Sequence, residues 1–125
     1  MSFQQKIPVP HANSRVNNTH WEVTIDAVAH LLKTSEDFLL LDCRSREEWE
    51  ENRIPDAMNL PLQQFSTRCH ELENHRDRPI VVYCRTGRRS AILAKFLHLS
   101  GYPHVRSMAG GIEAWQEQPG LSSRD

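Results

Sequence analysis

The sequence has no long apolar segment, since its longest uninterrupted apolar runs are five residues or fewer. A helix that crosses a bilayer needs about 20 apolar residues, so the sequence predicts no membrane-spanning helix. The first eighteen residues also lack the continuous apolar stretch of a secretory signal. We therefore expect a cytoplasmic protein that does not bind membranes.

Cysteine is scarce, and neither sign of charge dominates. Cys43, Cys69 and Cys84 are odd in number and widely spaced, which does not indicate a disulfide framework. The 15 Lys and Arg residues nearly balance 16 Asp and Glu residues, giving a formal net charge of −1. This balance predicts no general attraction to nucleic acid, so any basic site must be local. Each cysteine is either an inert core residue or a reactive thiol, and its neighbours decide which.

The length of 125 residues fits one domain. Residues 1–18 are polar and show neither helical nor strand periodicity, so we expect a flexible N-terminal tail. The folded domain is predicted at residues 19–118, and a C-terminal tail at residues 119–125.

Strand and helix patterns alternate along the predicted domain. This order is typical of an α/β fold with a small parallel sheet and helices on both faces. Strands are predicted near residues 21–23, 38–41, 57–60, 80–83 and 105–108. Helices are predicted after Thr24 and Ser45, and over residues 62–75, 90–100 and 112–118.

Two of these helices carry explicit expectations about their buried faces. The helix at 62–75 is expected to turn Leu62, Phe65, Cys69 and Leu72 inward. The helix at 90–100 is expected to bury Ile92, Leu93, Phe96, Leu97 and Leu99. Cys43 follows the end of an apolar strand and Cys69 lies on the predicted inward face of a helix, so both are interpreted as small buried hydrophobic residues. Nothing in their spacing indicates that either one reacts with Cys84.

The candidate site lies between the clearest strand and the helix that follows it. In open α/β sheets ligands bind beyond the carboxyl ends of the strands, which is where Cys84 stands. A helix N-terminus and the positive φ open to Gly87 would direct amides toward an anion. Arg85, Arg88 and Arg89 add local positive charge. Each feature favours a thiolate, so we predict that Cys84 is a nucleophile of lowered pKa.

The loop formed by Cys84, Arg85, Thr86, Gly87, Arg88, Arg89 and Ser90 resembles the C-R-x-G-x-R-S loop of single-domain rhodaneses. Three further segments are similar to rhodanese signatures in the same order: LDCR with EW at 41–49, IPDAMNLP at 54–61, and GY with GGIEAW at 101–115. Arg53 stands where the family often has histidine, and Asp56 where it usually has glycine. Both lie outside the loop, so we expect altered turns and no loss of chemistry.

This resemblance implies a sulfurtransferase. Cys84 would take the outer sulfur of an anionic donor such as thiosulfate, release sulfite and carry a persulfide, which cyanide or a thiol would remove. The site would comprise the loop residues 85–90, with Arg85 and Arg88 on the donor. Arg89 would either brace the loop or be a surface cation. Asp42 and Arg44 would pair and support the pocket, a role we interpret as mainly structural. No metal or organic cofactor is implied.

Three other functions remain alternatives. Cysteine phosphatases and arsenate reductases use C-x-x-x-x-x-R, but the position their arginine would occupy here is Ser90. A persulfide relay to a partner protein, or a regulatory interaction module, would keep the same fold. A metal site near Cys69, His70 and His75 is disfavoured, because His70 and His75 point about 140° apart on a helix.

Overall fold

The computed structural model describes residues 21–118 and contains one parallel sheet of five strands. The predicted tails at 1–18 and 119–125, with the first two residues of the predicted domain, lie outside the described residues. The strands are β1 (Glu22–Val23), β2 (Leu39–Asp42), β3 (Met58–Asn59), β4 (Ile80–Tyr83) and β5 (Val105–Met108). Their order in the sheet is β1-β5-β4-β2-β3, which places β4 at the centre.

Within residues 21–118, four α-helices connect the strands and a fifth follows β5. They are α1 (Ile25–Lys33), α2 (Arg46–Glu51), α3 (Phe65–Arg68), α4 (Arg88–Leu99) and α5 (Gly111–Glu117). The predicted caps of the first two are confirmed: Thr24 accepts a hydrogen bond from the Ala27 amide, and Ser45 and Glu48 form a capping box. Among residues 21–118, no helix is long and apolar enough to cross a membrane.

The sheet is covered on both faces, as the α/β prediction requires. Strand residues alternate between faces, so the two apolar clusters draw on alternate positions of the same strands. One cluster contains Val82 and Cys84 and includes Leu93 and Leu97 of α4. The other contains Tyr83 and is closed by residues of α1 and α5, including Val28, Ile112 and Trp115.

The segment at 62–75 does not form the single predicted helix. A 3₁₀ turn at Leu62–Gln64 precedes α3, and a 3₁₀ segment at Cys69–His75 follows it. Leu72 is buried and Phe65 packs against the core, but Cys69 is only half-buried. The 3₁₀ turns change the rotation per residue, so the spacing of apolar residues no longer marks one face.

The prediction for the buried face of α4 was partly wrong. Leu93 and Leu97 are buried, whereas the exposed fractions of Ile92, Phe96 and Leu99 are 64%, 51% and 72%. The inward positions are Ser90, Leu93, Ala94, Leu97 and His98, which have the i, i+3, i+4 spacing of one helix face. A small polar residue therefore begins this face, directly beside Cys84.

Candidate active site

Cys84 lies directly after β4, where the central strand meets the N-terminus of α4. The residue is 1% exposed. Helix α4 begins at Arg88, two residues earlier than predicted, and its N-cap is Gly87 with φ of 104°. This left-handed conformation strains residues that carry a Cβ. Gly87 therefore allows the chain to curl around the sulfur within three residues.

The loop directs hydrogen-bond donors at the Cys84 sulfur. The amides of Gly87 and Ser90 donate to Sγ at 3.1 and 3.4 Å. The Ser90 hydroxyl lies 3.5 Å from Sγ and 2.7 Å from the hydroxyl of Ser107. Ser90 and Ser107 are both fully buried. These contacts form a cradle around the sulfur, and the Ser107 hydroxyl lies behind Ser90 as a further hydrogen-bond partner.

Helix α5 holds the loop carbonyls away from the sulfur. The Ile112 amide donates to the Cys84 carbonyl at 2.9 Å, and the Glu113 amide donates to the Arg85 carbonyl at 3.1 Å. Gly111, at φ of 64°, allows this approach, because a Cβ there would come within 2.3 Å of the Arg85 carbonyl oxygen. With the carbonyls bound outside, the amides are left to face the sulfur.

The surroundings lower the pKa of the Cys84 thiol to about 4. The largest cause is a hydrogen bond from the Cys43 thiol, and burial acts in the opposite direction. The hydroxyl and amide of Ser90 and the amide of Gly87 lower the pKa further. A group with this pKa is a thiolate at neutral pH, which is the form that acts as a nucleophile.

The three loop arginines contribute less to this thiolate than the sequence suggested, since none is among the leading causes of the shift. Arg85 is exposed and pairs with Glu113 at 3.3 Å. Arg89 lies 3.5 Å from Glu48, so it links α4 to α2. Arg88 is exposed and has no ion pair within residues 21–118, and Thr86 is also exposed at the mouth of the loop.

Asp42 and Arg44 lie behind the loop as a buried ion pair. The guanidinium contacts the carboxylate at 2.8 Å, and the two side chains are 0% and 3% exposed. Arg44 also donates to the carbonyl of Asn52, the C-cap of α2, at 2.6 Å. Neither side chain hydrogen-bonds to Cys84 in the described part of the chain. The contacts of this pair join β2 to α2.

The two positions that depart from the rhodanese pattern, Arg53 and Asp56, lie between α2 and β3. Arg53 places its guanidinium 4.1 Å from the Trp49 ring centroid and donates to the Trp49 carbonyl. Asp56 adopts φ of 70°, a conformation that glycine reaches without strain. Aspartate is among the residues that tolerate it.

Sequence reasoning missed three residues of this site. Cys43 was interpreted as packing alone, Ser107 was placed only within a strand, and Gly111 only within a turn. A signal for Cys43 existed, because it follows β2 just as Cys84 follows β4. Using it required knowing that β2 and β4 are neighbours.

Comparisons with known proteins agree on one family. The model of the rhodanese-like domain matches residues 24–118. A sulfurtransferase of Allochromatium vinosum is 37% identical over 94 residues, covering 75% of this chain and 86% of that protein. The thiosulfate sulfurtransferase GlpE of Coxiella burnetii is 30% identical over 96 residues, covering 71% and 85%.

The fold gives the same result. A rhodanese-related protein of Thermoplasma volcanium superposes with a TM-score of 0.70 at 26% identity. The match covers 79% of this chain and 93% of that one.

Proposed function

Since the chain belongs to the rhodanese-like domain family and its relatives include sulfurtransferases, we propose that it transfers sulfane sulfur through a persulfide on Cys84. The observation that carries the proposal is the sulfur cradle of Gly87 and Ser90 around a thiol whose pKa is about 4. The proposed donor is a small anion such as thiosulfate, and the acceptor is cyanide or a thiol.

The first step is a displacement at sulfur. The Cys84 thiolate forms a bond to the outer sulfur of thiosulfate, the S–S bond of the donor breaks, and sulfite leaves with its electron pair. Cys84 now carries a persulfide anion. Amides of Gly87 and Ser90 suit this negative charge, because preorganised donors stabilise an anion more strongly in a water-poor site.

Arg85 and Arg88 are the groups we assign to the donor. Both side chains are exposed at the mouth of the loop, where they would attract thiosulfate and stabilise the departing sulfite. We assign Arg89 to bracing, because its contact with Glu48 directs it toward α2.

In the second step the acceptor attacks the outer sulfur of the persulfide. With cyanide, a C–S bond forms, the S–S bond breaks, and Cys84 departs as the thiolate with the electron pair, leaving thiocyanate. A thiol acceptor would take the same sulfur as a new persulfide. Either way the starting thiolate is restored, and the cycle needs no oxidant, metal or organic cofactor.

The test is thiocyanate production from thiosulfate and cyanide by the native protein and by Cys84→Ser. We expect turnover in the native protein and none in the variant. Cys69→Ser is the matched control, since it removes a thiol that contacts the Ser66 carbonyl, and it should keep native turnover.

Mass spectrometry then decides between the remaining outcomes. Native protein that gains one sulfur atom on Cys84 yet makes no thiocyanate would show a persulfide relay with another acceptor. No sulfur gain from thiosulfate or from a persulfide donor, with the fold intact, would contradict the proposal.

A further inference from the structure

A second thiol lies beside Cys84 in the sheet. Asp42 of β2 is in register with Tyr83 of β4, and the next amide, that of Cys43, donates to the Tyr83 carbonyl at 3.0 Å. Cys43 and Cys84 are therefore adjacent positions just past the ends of two neighbouring parallel strands. Both are buried in the same apolar cluster, with exposed fractions of 0% and 1%.

The register places the two side chains next to each other, and a hydrogen bond between the two thiols is the leading cause of both pKa shifts, with the proton held by Cys43. Its pKa lies well above the usual range of a thiol because of the hydrogen bond to Cys84, and burial acts in the same direction. Two charged side chains face it: Asp42 raises its pKa further, and Arg89 lowers it. Cys43 therefore stays a thiol under conditions in which Cys84 is a thiolate.

We propose that Cys43 is a positioning residue, which donates its S–H to the Cys84 sulfur and stabilises that sulfur as an anion. The inference rests on the proposed function and adds a residue to it. The donor would act in both steps, since Cys84 is the nucleophile in the first and the leaving group in the second. A more stable thiolate is a weaker nucleophile but a better leaving group.

The same contact does not make Cys43 a resolving thiol. That reaction would require its thiolate to attack Cys84, forming a Cys43–Cys84 disulfide and releasing sulfide from the persulfide. Burial and the adjacent anion hold Cys43 in the protonated form, which is not nucleophilic. A hydrogen-bond donor is the role that its position and protonation both support.

The experiment titrates Cys84 in the folded protein by the ultraviolet absorbance of its thiolate, with Cys84→Ser as the blank. Cys43→Val and Cys43→Ala both remove the S–H donor. Valine fills the space left by the thiol, whereas alanine leaves it empty, so the two variants separate loss of the donor from a change in packing. Cys43→Ser keeps a donor. Thermal unfolding of each variant shows that it is folded at the pH values used.

We expect native Cys84 to be half ionised near pH 4 and almost fully ionised about two pH units above that midpoint. In Cys43→Val and Cys43→Ala the midpoint should rise by about one unit or more, because a lost hydrogen bond to the charged form raises the pKa of an acid. Cys43→Ser should restore most of the shift, and Cys69→Ser should titrate as native. We call Cys43→Val and Cys43→Ala the donorless variants. Their turnover should fall most when departure of the Cys84 thiolate from the persulfide limits the rate.

Four results would overturn the inference. The donorless variants could titrate as native, or Cys43→Ser could fail to rescue them, which would indicate a packing role. Persulfide-loaded native protein could instead release sulfide and form a Cys43–Cys84 disulfide. A native Cys84 that titrates like an ordinary thiol would remove the thiolate premise of the proposed function too, whereas unchanged variants of a low-pKa native protein would refute only the role of Cys43.

Discussion

At the scale of single residues, two kinds of group surround Cys84: neutral hydrogen-bond donors and exposed cations. Neutral donors set the charge of the sulfur: the thiol of Cys43 and the amides and hydroxyl of Gly87 and Ser90. On the proposed function, the cations at the mouth of the loop would contact the substrate. Arg88 stands out, because within the described part of the chain it is exposed and has no ion pair.

This division predicts that Arg88→Ala raises the KM for thiosulfate about tenfold, the loss expected for one charge-assisted contact, with kcat changed less. Lys95→Ala is the matched control, since it removes an exposed cation farther along α4. Steady-state thiocyanate formation measures both. An equal rise in KM in the two variants would show that the overall positive field acts rather than a contact with Arg88.

At the scale of elements, the loop depends on a helix that comes after it in the chain. Helix α5 binds two loop carbonyls through the amides of Ile112 and Glu113. Gly111 permits the close packing that brings these amides within reach. The orientation of the cradle is thus a property of the β4 loop and α5 together.

Gly111→Ala should lower sulfur transfer by about 100-fold, because a Cβ would meet the Arg85 backbone and displace the loop that stabilises the anion. Gly101→Ala is the control. Gly101 also has a positive φ, but its Cβ would meet only the flexible side chain of Arg76. Both changes should lower the Tm, and Gly101→Ala should keep native kcat. Native activity in Gly111→Ala would refute the role given to α5.

At the scale of the whole molecule, one buried polar network joins strands β2 and β3 to helix α2. Arg44 binds Asp42 and the carbonyl of Asn52, and the Asn59 side chain donates to the Asp42 and Arg44 carbonyls. These contacts satisfy the buried charges and hold β2, α2 and β3 together. Cys43 lies between the two charged residues, so the network also fixes the position of the second thiol.

Arg44→Met should lower the free energy of unfolding by about 3–5 kcal/mol, because it leaves the Asp42 carboxylate buried without its partner. Arg46→Ala removes the exposed pair with Glu50 and should cost no more than about 1 kcal/mol. Urea unfolding of both variants gives the comparison. Similar losses for the two would mean that the buried pair is no more important to stability than the surface pair.

The sequence by itself determined the local parts of this protein. Residues close together in the chain predicted the strand at 80–83, the positive φ of Gly87, the Ser45–Glu48 capping box and the position of Cys84 at the end of a strand. Their geometry depends on backbone conformation and hydrogen bonds over a few positions, so local patterns suffice. The rhodanese resemblance followed from the same short segments.

Only the tertiary structure decided which distant residues meet. Because β4 lies between β2 and β5, Cys43 lies beside Cys84, Ser107 contacts Ser90, and α5 reaches the loop carbonyls. Alternation of strands and helices is compatible with several strand orders, so it cannot specify these contacts. The buried face of α4 was decided in the same way, because the sheet accepts the side of the helix that carries Ser90, and Phe96 is left exposed.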